Sequence, residues 1–169
     1  MYKLILTLAG LSLIISCTSS NEKDASQHSQ MMDDASNFEE YTTIYEDSLL
    51  QIQNAWTRVA PEGGMSAGFM RLSWKNGTPD SLINFYTDAC ARHEIHETYE
   101  KGEGMMGMRQ ISGLKLSTSE SAELKPGGKH LMLMQLTQDF VAGDSIAVRL
   151  DFKQRESVEL YLPIRSLTD

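Results

Sequence analysis

Four residues stand at spacings that suit a bound metal: His96 in "EIHET", Met108 in "GMRQ", and His130 and Met132 in "KHLMLMQL". On a β-strand alternate residues share a face, so His130 and Met132 point the same way, with Met134 one step further along. "EIHET" and "GMRQ" flank the turn "KGEG". A hairpin closed there in an even register, pairing residue 96 with 108 or 110, puts His96 and Met108 on one face; an odd register sends them to opposite faces. Neutral imidazoles and thioethers form a soft, uncharged donor set. Such a set fits Cu(I) better than magnesium, calcium or manganese, and better than catalytic zinc, which usually combines histidine with a carboxylate. Thioethers need no deprotonation and form no disulfides, so the set can work in an oxidising compartment where thiolates would be lost.

Other soft residues lie close in the sequence. Met105, Met106 and Met134 read as packing or rim residues, because methionine commonly fills irregular gaps in cores. His93 is three residues from His96 and therefore faces the other way on a strand. His28, Met31 and Met32, in "HSQMMDD", could hold a second, loose copper ion, but they also fit the composition of a polar linker. Trp56 and Trp74 read as core or rim aromatics. No Ser/His/Asp nucleophile arrangement, phosphate loop or paired-carboxylate motif is present, so the sequence reads as that of a non-enzyme.

The elements that must position the quartet are short. From Gln51 onward, runs of β-type residues alternate with the breakers "PEGG", "KNGTPD", "KGEG", "KPGG", "VAGD" and "KQRE". The runs predict strands at 51–59, 66–74, 81–87, 92–99, 105–111, 129–137, 144–152 and 155–163, a spacing that suits an all-β sandwich. "SIAVRLDF" and "SVELYLPI" alternate apolar with polar residues, as strands wet on one face do. The stretch "FEEYTTIYEDSLL" before them fits either a short helix or a lead-in strand.

Charge is distributed unevenly. Of the formal net charge of -8, residues 18–50 carry eight acids against one lysine, whereas residues 51–169 hold fifteen acids and thirteen Lys and Arg. The domain is nearly neutral and lacks the basic stripe that nucleic-acid binding needs. Residues 1–17, "MYKLILTLAGLSLIISC", have the layout of a secretory signal peptide whose apolar run is short for a membrane span. Ile14-Ile15-Ser16-Cys17 resembles a bacterial lipobox, which makes Cys17 the expected lipidated first residue and places the protein in the cell envelope. Cys90 then has no partner within the chain, and it reads as a small buried hydrophobe. Residues 18–50 read as an acidic flexible tether, with a mean span of roughly 30 Å.

The order His96, eleven residues, Met108, twenty-one residues, His130, one residue, Met132 resembles the H(M)x10Mx21HxM signature of the periplasmic copper chaperones called PCu(A)C. "AWTRVAPEGGMSAGFMRL", "GMRQISGLKL", "LKPGGKHLMLMQL" and "GDSIAVRLDF" also resemble stretches of that family, over roughly residues 51–163. Glu97 departs from it, standing where the optional methionine would be. The resemblance implies a cupredoxin-like Greek-key β-sandwich over residues 51–169. It also implies delivery of Cu(I) to a copper-acceptor protein, the binuclear copper centre of a respiratory cytochrome oxidase. Two alternatives remain open at this level: a copper-scavenging lipoprotein without a dedicated acceptor, and, more distantly, a copper-dependent redox enzyme.

Overall fold

A computed structural model describes residues 42–166. Cys17, His28, Met31 and Met32 lie outside them. The described residues form eleven strands: β1 (Thr43–Glu46), β2 (Leu50–Arg58), β3 (Met65–Trp74), β4 (Asp80–Tyr86), β5 (Cys90–Gly102), β6 (Met105–Gln110), β7 (Leu114–Leu116), β8 (Ala122–Leu124), β9 (Lys129–Leu136), β10 (Ser145–Phe152) and β11 (Val158–Arg165). All eight predicted strands are present, shifted by three residues at most at either end. The lead-in stretch resolves as β1, inside the segment that the sequence assigns to the tether. Two elements went unforeseen, β7 and β8, each of three residues and too short to show an alternating pattern.

The strands run in the order β6-β5-β9-β3-β2-β11-β10-β4-β7, with β1 added on β2 and β8 on β3. Crossed neighbours such as β5 beside β9 and β3 beside β9 give Greek-key connections. One half, β6-β5-β9-β3-β2, meets the other through a parallel contact in which Ile164 pairs with Thr57. Apolar side chains from both halves, among them Ile52, Leu72, Ile95 and Leu131 from one and Leu82, Phe85, Leu150 and Leu160 from the other, make a single core. Burial alternates strictly along much of β10 and β11, which is the period-2 pattern legible in "SIAVRLDF" and "SVELYLPI".

Two local features fix which side chains face away from that core on the β5-β9-β3-β2 half. The first is the hairpin joining β5 to β6. Glu103 and Gly104 both have positive φ, 54° and 73°, as a two-residue type I′ turn requires, and such a turn matches the natural twist of the strands. The turn sets Gly102 opposite Met105, an odd register, and a bulge between Glu100 and Gly102 shifts the ladder into the even one, with His96 opposite Gln110 and Thr98 opposite Met108. The second is a bulge in β2, where the pairing with β3 slips between Gln53 and Trp56 and Asn54 takes a positive φ of 49°. A bulge re-aims the side chains that follow it. Ile52 and Ala55 both enter the core, and Trp56 and Arg58 consequently point to the outer face.

Candidate metal centre

Three strands present the quartet. β5 and β9 pair with His96 directly opposite His130 and with Glu94 opposite Met132. Met108 lies across the β5–β6 ladder from Thr98, one step diagonal to His96. All four side chains therefore share the outer face, while their neighbours Ile95, Leu131 and Leu133 fill the core. The imidazoles of His96 and His130 lie edge to face with ring centroids 5.9 Å apart. His130 is 4% exposed and Met108 62% exposed, so the centre has a closed imidazole end and an open thioether end.

Beside the imidazoles is a hollow of about 450 Å³ bordered by His130, Met132, Met108, Met106, Met65 and Phe69, among others; His96 does not border it. Phe69 is buried at its floor and packs on Trp56, with ring centroids 4.7 Å apart. Arg58 lies over the Phe69 ring. Among the described residues no three His, Cys, Asp or Glu side chains converge as a metal cluster, so the donors gathered here are imidazole and thioether. That chemistry suits a soft monovalent ion rather than a hard divalent one.

The two histidines are held differently. His130 Nδ1 lies 3.1 Å from the carbonyl oxygen of Gly128. Burial lowers the His130 pKa, against the Gly128 hydrogen bond and with help from the nearby Arg58 guanidinium. A histidine kept neutral keeps its free nitrogen available to a metal. His96 Nε2 lies 2.7 Å from Glu94 Oε2, and this bond holds the Glu94 carboxyl below its ordinary pKa. Glu94 also accepts from Arg92, whose guanidinium is 3.5 Å from Met134 Sδ.

The remaining candidates fall in distinct places. Met106 borders the hollow, whereas Met105 and Met134 do not. His93 is packed between Phe85 and Tyr86, at 5.4 and 5.5 Å between ring centroids, on the core-facing register with Leu133. Cys90 is buried and free, Trp74 is in the core and Trp56 packs on the outer face. Glu97 pairs with Arg109 directly opposite it on β6, at 2.6 Å, on the side away from His96. The departure from the chaperone signature thus adds a surface ion pair and leaves the hollow unaltered.

Sequence reasoning missed Met65, Glu94 and Arg58. Met65 sits opposite Met134 on the β3–β9 ladder, a pairing between segments almost seventy residues apart that no local pattern announces. Glu94 had a local signal: it lies two residues before His96, on the same face of any strand.

Residues 50–164 match the family described as "Putative lipoprotein LpqE-like". A relative from Leifsonia xyli subsp. xyli (strain CTCB07), "Putative lipoprotein Lxx21020", is 26% identical over 119 residues, covering 70% of this chain and 71% of its own. Two solved structures show a similar fold. The copper-bound PCuAC domain from PmoF2 superposes with a TM-score of 0.60 at 17% identity, covering 73% of this chain and 97% of that domain. The solution structure of apo-DR1885 from Deinococcus radiodurans gives 0.53 at 18% identity, covering 94% and 97%. The chain belongs to the LpqE-like family, and its fold is the cupredoxin-like β fold of the PCuAC domains.

Proposed function

We propose that this protein is a copper carrier of the cell envelope, tethered through a lipidated Cys17, which holds Cu(I) on His96, Met108, His130 and Met132 and passes it to an acceptor protein. One observation carries the reading: two facing imidazoles, one of them buried, stand beside a hollow walled by thioethers. The copper-bound PmoF2 domain of the same fold supports it. The imidazoles anchor the ion from the closed end. Thioethers bind Cu(I) without gaining or losing protons, so they can be exchanged one at a time for donors of an incoming protein. Met65 and Met106, exposed at the mouth, supply further thioethers for that exchange. No redox or acid–base step is asked of the site, which fits a carrier rather than a catalyst. The acceptor that suits this cargo is the copper-bearing subunit of a respiratory cytochrome oxidase.

The test is transfer. Cu(I)-loaded protein is mixed anaerobically with the apo copper domain of an oxidase subunit, and the metal on each is measured after separation. Movement of copper to the oxidase domain is the expected result. Retention on this protein in the presence of excess acceptor would favour a scavenger over a donor.

A further inference from the structure

The two imidazoles of the proposed centre offer different nitrogens. His130 Nδ1 faces the Gly128 carbonyl oxygen at 3.1 Å, and a carbonyl only accepts hydrogen bonds, so Nδ1 carries the hydrogen and Nε2 keeps the lone pair. His96 is the reverse. Its Nε2 faces Glu94 Oε2 at 2.7 Å, and the other oxygen of that carboxylate accepts from Arg92 at 3.2 Å. An ionised carboxylate also only accepts, so Nε2 carries the hydrogen. The lone pair of His96 is thereby left on Nδ1, which is buried and has no hydrogen-bond partner.

We propose that Glu94 is a positioning residue of the metal centre: by fixing the Nε2–H tautomer of His96 it makes Nδ1 the donor there, while His130 donates through Nε2. This inference rests on the copper-site reading and deepens it. Buried acceptors normally have a partner, and a soft cation is the partner this one lacks. Glu94 is well placed for the task. It lies two residues before His96 on β5 and opposite Met132 on β9, and Arg92 holds it from the solvent side, since the Arg92 side chain is 63% exposed against 21% for Glu94. A carboxylate hydrogen-bonded to the far nitrogen of a ligating histidine sets both the ring's orientation and its basicity.

The test reads tautomers directly. Long-range proton–nitrogen NMR correlations of the imidazoles are recorded on apo protein at neutral pH and again after loading with Ag(I), a closed-shell stand-in for Cu(I). The expected pattern is His96 as the Nε2–H tautomer with metal on Nδ1, and His130 as the Nδ1–H tautomer with metal on Nε2. Metal on Nε2 of both rings would overturn the role of Glu94 while leaving the site intact. Loading that perturbs neither ring would overturn the site and the inference together. In Glu94→Leu, which removes the acceptor, His96 should populate both tautomers and Cu(I) affinity should fall about 10- to 100-fold, as is typical for loss of such a partner. Wild-type affinity and an unchanged His96 tautomer in that variant would also overturn it. Thermal unfolding of the apo variant separates this effect from misfolding.

Discussion

At the residue scale the side chains of the centre are unequal, and the inequality can be measured. His130 is buried, with its pKa lowered by that burial, and His96 is nearly so enclosed, whereas Met108, Met106 and Met65 stand in the open. Replacing either histidine by Ala should lower Cu(I) affinity by more than the roughly 10- to 100-fold typical of losing an outer partner. Met105→Leu and Met134→Leu, outside the hollow, should leave affinity near wild type. Met65→Leu and Met106→Leu should act mainly on the rate of handover, which stopped-flow transfer to a chelator would report. That His96, Met108, His130 and Met132 share one face was legible because they recur at intervals that strands can superpose. Met106 could not be told from Met105 in the sequence, since both read as filler, and only the even hairpin register brings Met106, together with Met108, to the face of His96. Met65 was hidden for another reason: its place depends on which distant strand lies beside it, and neither composition nor periodicity records that.

At the element scale, strand existence was legible and strand neighbourhood was not. Breakers such as "KGEG" and "KPGG" bounded β5, β6 and β9 well, because glycine supplies the positive φ that tight turns demand. The bulge at Asn54 had no comparable signal, yet it carries Trp56 and Arg58 to the outer face. β1 was ambiguous because its place is settled by tertiary contacts: Asp47 accepts from the backbone of Leu49 and Leu50 and pairs with Arg155 at 2.7 Å. Burial pushes the Asp47 carboxyl up, but Arg155, those backbone donors and the Tyr45 hydroxyl outweigh it and hold the pKa well below the ordinary range. A depressed carboxylate stabilises the fold above its unfolded pKa, about 3.9, and that contribution drains away as pH falls through the folded value. Asp47→Asn should therefore cost about 1 kcal/mol at neutral pH, after discounting for a partly exposed pair, and should flatten the loss of stability below about pH 4. Urea unfolding at pH 7 and pH 3 would check both; parallel acid limbs in the two proteins would refute the assignment. In the core, Leu131 is fully buried between His130 and Met132 of β9, and Leu131→Ala should destabilise by about 2–5 kcal/mol, measured in the same way.

At the scale of the whole molecule, a nearly neutral β-domain follows an acidic segment of sequence, and its core is made of apolar side chains. The β-sandwich class was legible from strand spacing and alternation, because a two-layer β-protein needs only alternation and turns, whereas the cupredoxin-like topology came from the family resemblance. Folding and copper binding should accordingly be separable: apo protein should melt cooperatively, unlike a zinc finger, whose folding energy comes from its ion. Anchoring should be separable too, since the described strands begin at Thr43, well after Cys17. Cys17→Ser should leave the melting temperature unchanged and move the protein from the membrane fraction to the soluble one; continued retention in membranes would count against lipidation. The soluble variant also permits the most direct examination of the central claim, an anaerobic Cu(I) titration against a chromophoric chelator, run on Cys17→Ser and on the same protein carrying His96→Ala and His130→Ala. One tightly held Cu(I) per chain in the first, lost in the second while its apo melting transition persists, is the predicted result; equal affinity in the two proteins would contradict the account.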